Sequence, residues 1–254
     1  MHRAPTDLLW RVVRTVGELA LTLGVVVLLF VAYEVWGTDL VAAQAQSQLG
    51  DELHAAWGTG AGSTGAGSTG TALPELTTAP AVGAPFAFLH VPRLGADWSR
   101  AVVEGTAQEQ LAQGPGHYAG TALPGEPGNF AVAGHRVGRG SPFLDADTLR
   151  PGDPLVVETA GWWYVYRVLG SDDPSGIPGT EVVAPTDVSV IDPLPDSAAG
   201  TAADGAYLTL TTCNPKFSAR ERLVVHARLD GAPVSRRDAP NGPAALREGT
   251  APAR

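Results

Sequence analysis

One cysteine, six histidines and an arginine-dominated set of cations carry whatever covalent chemistry this 254-residue chain performs. Cys213 closes the apolar, β-branched stretch AYLTLTTCNP, and Asn214 and Pro215 end the strand behind it. A strand end is fixed on one side and open on the other, which suits a nucleophile that must meet a substrate. A lone cysteine also serves readily as a buried structural thiol. To act, a thiol with an ordinary pKa of ~8.5 needs a base or a cationic environment, because the thiolate is the attacking species. Of the histidines, His2 lies before an apolar run, His54 near a Gly/Ser-rich stretch, His90 and His226 inside strand patterns, and His117 in the turn GPGHY. His135, in NFAVAGHRVG, directly follows an apolar strand and opens a glycine-rich loop, the same strand-end setting as Cys213. Arg222 begins the strand after the Cys213 turn, so antiparallel pairing across 214–221 brings it back beside the thiol. A guanidinium there keeps its charge at any accessible pH and can meet an oxyanion. Arg220, two residues earlier, shares that face if the strand starts early enough.

These side chains need a scaffold of short strands. Candidates are 86–91, 101–104, 129–133, 154–159, 162–169, 206–212 and 222–229, all rich in Val, Leu, Phe, Tyr and Trp and separated by Gly, Pro and Asp turns. That number of short strands in residues 86–230 predicts a closed or nearly closed all-β barrel. Ser141–Leu149 reads as a helical turn, and the connection from about Gly170 to Gly205 as a wall beside the site. Residues 231–254, with four prolines, have the composition of disorder.

Ahead of the barrel, residues 1–37 contain the apolar run Leu19–Tyr33, extended by Val12, Val13, Val16, Val35 and Trp36 to the ~20 residues that span a bilayer. Arg3, Arg11 and Arg14 precede the run and no Lys or Arg follows until Arg93, which predicts a cytoplasmic N-terminus and an extracellular remainder. A cleavable signal peptide with Ala43-Gln44-Ala45 at its cleavage site is the competing reading; both export the barrel. Residues 38–85 form a juxtamembrane segment and linker. The part 38–57 is polar and helical in pattern, and 58–85, with its tandem AGSTG, reads as a flexible tether. Export sharpens the case for Cys213, since an unpaired thiol in an oxidising compartment is a liability unless used or fully buried.

Composition removes other classes. A net charge of −9 argues against nucleic acid as a partner, because phosphate recognition needs clustered Lys and Arg. A single cysteine leaves no internal disulfide and no CxxC zinc pair. No metal-ligand cluster and no cofactor motif is legible, and isolated carboxylates such as Asp145 and Asp147 read equally as helix caps.

TLTTC at 209–213, with Arg222 nine positions after Cys213, AGHR at 133–136 and VPRLG at 91–95, resembles the sortase signature. The fuller run TLTTCNPKFSARERLVVHA and the N-terminal anchor look most like the class E sortases of actinobacteria. The resemblance implies an eight-stranded β-barrel with short helices, preceded by one transmembrane helix. It implies that Cys213 is the nucleophile, His135 the acid/base and Arg222 the cationic stabiliser, and, as some sortases depend on calcium, it leaves Asp145 and Asp147 open as calcium carboxylates beside their reading as helix caps. The implied chemistry cleaves the Thr-Gly bond of a C-terminal sorting signal, LAXTG or LPXTG in type, through a thioester. The surface protein then passes to a peptidoglycan-precursor amine, making sorting-signal proteins, that amine and the membrane the implied partners. A non-catalytic exported wall-binding or scaffold barrel is the alternative from another class.

Overall fold

The structure, a computed structural model, describes residues 5–33, 38–60, 76–198 and 200–249. Ten strands form: β1 (Pro85–His90), β2 (Ser99–Glu104), β3 (Gly116–His117), β4 (Gly128–Ala133), β5 (Pro154–Glu158), β6 (Trp162–Val168), β7 (Thr180–Val183), β8 (Ala206–Asn214), β9 (Glu221–Leu229) and β10 (Val234–Ser235). Eight of them close a barrel in the order β6-β5-β1-β2-β3-β4-β8-β9, sealed by pairing of β6 with β9. The short strands β10 and β7 add outside β6 and β9. The sheet is mixed: β2–β3 and β4–β8 are parallel, the other pairs antiparallel.

Strand alternation sorts the side chains. Phe130 and Val132 of β4, Leu208 and Leu210 of β8, and Leu223, Val225 and Ala227 of β9 enter one core with Leu155, Val157, Tyr164 and Tyr166. The intervening residues Ala131, Ala133, Thr209, Thr211, Cys213, Arg222, Val224 and His226 therefore line the opposite, outer face of β4, β8 and β9.

The sequence pattern missed β3, β7 and β10, which run to only two to four residues each. Pairings to neighbouring strands create them, and local periodicity cannot show that. The helical turn expected over 141–149 narrows to one 3-10 turn at Ala146–Thr148.

Helix α1 (Pro5–Ala32) contains a span, Trp10–Val31, long and apolar enough to cross a membrane. Helix α2 (Thr38–Gly60) covers the polar segment and runs past it. It is docked: Leu49 and Leu53 are buried against Phe88, Ala101 and Val103, with Trp57 at the margin. Gln46 acts as a two-sided clamp. Its amide donates to the carbonyls of Ala101 at 3.1 Å and Gln113 at 2.8 Å, and its oxygen accepts from the Ala101 amide at 2.8 Å. Ala43-Gln44-Ala45 lies inside this helix. Residues 61–75 of the expected tether lie outside the described residues, and Leu76 already packs on the barrel core.

Disorder expected from 231 onward does not hold for residues 231–249, which fold back along β6. Val234, Ala239, Ala245 and Leu246 pack with Val156 and Trp163. The Trp163 indole donates to the Ala239 carbonyl at 3.0 Å, and Arg236 pairs with Glu158 while lying over the Trp57 ring. Few but well-placed apolar residues suffice because the barrel supplies the rest of the surface. A low-hydrophobicity composition measured on the segment alone cannot register that.

Candidate active site

β8 and β9 pair antiparallel with Cys213 directly opposite Arg222. Directly opposed side chains share a face and sit ~4.5–5.5 Å apart at Cβ. Because β9 begins at Glu221, Arg220 falls in the turn, where its amide bonds the Ser218 hydroxyl. On the other flank, β4 runs parallel to β8 with Ala133 opposite Thr211. The pairing persists one step further: the Gly134 amide donates to the Thr211 carbonyl at 3.1 Å, and the Thr212 hydroxyl donates to the Gly134 carbonyl at 2.8 Å. Cys213 thus stands between Arg222, opposite it on β9, and the loop that His135 opens two residues past the end of β4, with β4 and β9 the neighbours of β8 on either side.

His135 is half-buried, and its Nε2 is buried with no hydrogen-bond partner. Burial lowers its pKa first, and the Arg139 charge lowers it further. The neutral imidazole is thereby favoured, with a free ring nitrogen able to take or give a proton. Gly134 is required where the strand turns out, since a Cβ there would sit 2.5 Å from the buried Phe143 ring. The loop returns through the Phe143 amide, which donates to the His135 carbonyl at 3.1 Å.

Arg222 points its guanidinium at backbone, donating to the carbonyls of Ala219 and Glu221 at 3.1 and 3.0 Å. No carboxylate among the described residues forms an ion pair with it, so its charge is not neutralised locally. Arg136, the last residue of AGHR, is a positioning residue that sequence reasoning did not pick out. Buried to 4% exposure, it donates to the Leu144 carbonyl, the Cys213 carbonyl and Asn214 Oδ1, and pairs with Asp147 at 3.0 Å. It ties the histidine loop to the cysteine strand end. Its place directly after His135 was the available signal.

Helix α2 also reaches this loop. The Gly140 amide donates to Asp39 Oδ1 at 2.8 Å, and buried Ala42 packs beneath Gly140. The other histidines among the described residues are engaged elsewhere. His90 contacts Glu158, His117 is fully buried 2.6 Å from Glu104, His54 stacks on Phe88, and His226 is fully buried beneath β7. Asp145 and Asp147 bind Lys216 and Arg136.

A cleft of about 580 Å³ opens further along the same outer face, lined by Thr121, Ala122, Asn129, Val188, Ile191 and Pro193 among others. Asn129 of the lining pairs with Tyr207, six residues down β8 from Cys213, or about 20 Å at ~3.3 Å per residue. Tyr118 lies in the interval, its hydroxyl 2.9 Å from that of Thr211. Val188, Ile191, Asp192 and Pro193 of the 170–205 connection supply one wall of the cleft.

Residues 89–230 match the family model described as the sortase domain. Sortase SrtE1 of Streptomyces coelicolor is 37% identical over 223 residues, 85% of this chain and 56% of its own length, so this chain spans little more than half of that relative. Sortase SrtE2 of the same organism is 34% identical, over 90% of this chain and 86% of its own length. Among solved structures, sortase E1 of S. coelicolor with a tripeptide in the active site superposes with a TM-score of 0.54 at 35% identity, covering 67% of this chain and 99% of that one.

Proposed function

This chain belongs to the sortase family and is most similar to its class E members, and we propose that it cleaves a sorting signal at Cys213 and transfers the acyl product to an amine. The observation that supports this reading is the placement of Cys213 between Arg222, opposite it on β9, and His135, two residues past the end of β4 on the other flank of β8. The Cys213 thiolate attacks the carbonyl carbon of the scissile Thr-Gly bond, forming a C–S bond and an oxyanion. Arg222, cross-strand from the sulfur and without a carboxylate partner among the described residues, turns from the Ala219 and Glu221 carbonyls to the developing negative charge. The C–N bond then breaks and His135 gives its proton to the departing amine. A thioester remains on Cys213. An incoming amine loses a proton to His135, attacks the thioester and releases the thiolate.

The active ionic form needs thiolate and imidazolium together, and lowering the His135 pKa makes that form the minor one at neutral pH. The extended peptide lies along the outer face past Tyr118, with the residues ahead of the scissile bond running toward the cleft. A tripeptide in the active site of sortase E1 supports a peptide in this groove. The apolar lining from Ala122, Val188, Ile191 and Pro193 suits a Leu-Ala or Leu-Pro lead. On this reading α1 is a membrane anchor with the N-terminus cytoplasmic, given Arg3, Arg11 and Arg14, and the barrel is extracellular. The acceptor is a cell-wall precursor amine and the substrates are proteins bearing sorting signals.

The test uses the full chain in detergent micelles with paired LAXTG and LPXTG peptides, with and without an added amine, beside Cys213→Ala. Cys213-dependent cleavage with amine-captured product supports the proposal. No turnover of either peptide by folded protein overturns it in favour of a non-catalytic barrel.

A further inference from the structure

Well down β9 from Arg222, on the same outer face, three side chains from distant parts of the chain converge: Glu181 of β7, Asp196 of the 184–205 loop and His226 of β9. His226 is fully buried; the two carboxylate side chains are each 23% exposed. Their ligand atoms lie within 4.8 Å of one another.

The surrounding hydrogen bonds decide which nitrogen of His226 bears hydrogen. Asn129 donates both hydrogens of its amide to the carbonyls of Val190 and Asp192, at 3.1 Å each, which turns its oxygen toward Thr209. The Thr209 hydroxyl gives its one hydrogen to that oxygen at 2.8 Å. Toward His226 Nδ1, 2.8 Å away, Thr209 can then only accept, so Nδ1 carries the hydrogen. In the neutral imidazole, Nε2 is left as a bare lone pair, aimed at Glu181 Oε1 at 3.2 Å and Asp196 Oδ2 at 3.6 Å. Among the described residues no Lys or Arg ion-pairs with either carboxylate. Three electron-pair donors thus face one point, and the two carboxylates hydrogen-bond each other across it through a shared proton that a cation would displace.

We propose that Glu181, Asp196 and His226 form a binding site for a first-row divalent cation, Zn²⁺ foremost. Zinc takes imidazole nitrogen and carboxylate oxygen at ~2.0–2.2 Å, which in a tetrahedron separates ligands by about 3.3–3.6 Å. The two separations involving Nε2 are 3.2 and 3.6 Å. The Nδ1–H to Thr209 contact is the kind of outer hydrogen bond that fixes a ligating imidazole, and Asn129 holds Thr209 in turn. Calcium fits poorly, since it wants six or more oxygens and the site offers a nitrogen and two carboxylates. The fourth position opens to solvent between the part-exposed carboxylates. A cation there clips β7 and the Asp196 loop to β9, and that loop carries Val188, Ile191 and Pro193 of the cleft wall. The sequence hid the cluster because residues 181, 196 and 226 follow no ligand spacing.

The experiment titrates Zn²⁺, Co²⁺ and Ca²⁺ into the metal-stripped full chain in detergent micelles, carrying Cys213→Ala so that no thiolate binds metal. The readouts are stoichiometry by calorimetry, thermal midpoint and the visible spectrum of Co²⁺. One equivalent of Zn²⁺ is expected, with a rise in Tm of about 5 °C at a hundredfold excess over Kd and a four-coordinate Co²⁺ spectrum. Asp196→Asn and Glu181→Gln, both at part-exposed positions that leave the buried histidine in place, are expected to weaken binding at least tenfold. Absence of saturable Zn²⁺ binding, binding that survives both substitutions, or a response to Ca²⁺ alone overturns the proposal; the first outcome makes the cluster a shared-proton site. Because the readout is metal binding in a protein without its thiol, failure here is separate from failure of the transpeptidase reading.

Discussion

At the scale of single residues, Cys213 is flanked by a titratable group on one strand and a fixed cation on the other. Removing a donor aimed at an oxyanion typically costs ~10²–10³ in kcat. Arg222→Ala is therefore expected to lose at least about a hundredfold in kcat/KM for peptide cleavage, and Arg220→Ala, in the turn, less than about threefold. Equal losses in steady-state assays would mean the cation acts from the turn. The His135 environment makes a pH prediction with a definite sign. Arg139 lowers the His135 pKa, so Arg139→Gln raises it. The acidic limb of the kcat/KM profile then moves to higher pH, and the plateau rises because more enzyme holds thiolate and imidazolium together. The gain should stay under about tenfold, since Arg139 is exposed and exposed charge interactions are worth ~1 kcal/mol or less. A limb that does not move would remove Arg139 from the account.

Among the elements, α2 does more than connect. Asp39 caps the Gly140 amide in the loop after His135, and Gln46, Leu49 and Leu53 fasten the helix to β1 and β2. Asp39→Ala is expected to lower kcat about two- to tenfold with KM little changed, because it frees the loop rather than the groove. Leu53→Ala, at a 2%-exposed position, should cost about 2–4 kcal/mol in a denaturation experiment. Loss in KM alone would place α2 beside the peptide instead. Composition reached the long strands, because β4, β6, β8 and β9 are runs of Val, Leu, Phe, Tyr and Trp buried along most of their length, and it reached His135 and Cys213, because both stand where such strands end. It did not reach β3, β7, β10 or the folded 231–249 segment, which exist through long-range pairing. Arg136 escaped for a related reason: its acceptors are backbone carbonyls brought in from Leu144 and Cys213.

For the whole molecule, docking of α2 changes what joins α1 to the barrel. Six residue steps separate Ala32 from Thr38, at most about 22 Å of chain at ~3.6 Å per step. The Gly/Ser-rich stretch comes after α2, so its length does not set how far the barrel travels from α1. Ten added Gly/Ser residues between 34 and 37 should change cleavage of a membrane-tethered substrate and leave a soluble peptide unaffected. The same insertion within 61–75 should change neither. An effect only from the second insertion would mean that α2 leaves the barrel in the membrane.

The central claim is that a substrate acyl group rides on Cys213. Intact-protein mass spectrometry of the full chain mixed with an LAXTG peptide in the absence of amine tests it most directly. The account predicts a mass increase equal to the acyl fragment, mapped to Cys213, strongly reduced in His135→Gln, and discharged by added amine. Cleaved peptide with no adduct on Cys213 at any time, or an adduct that persists in Cys213→Ala, would contradict it.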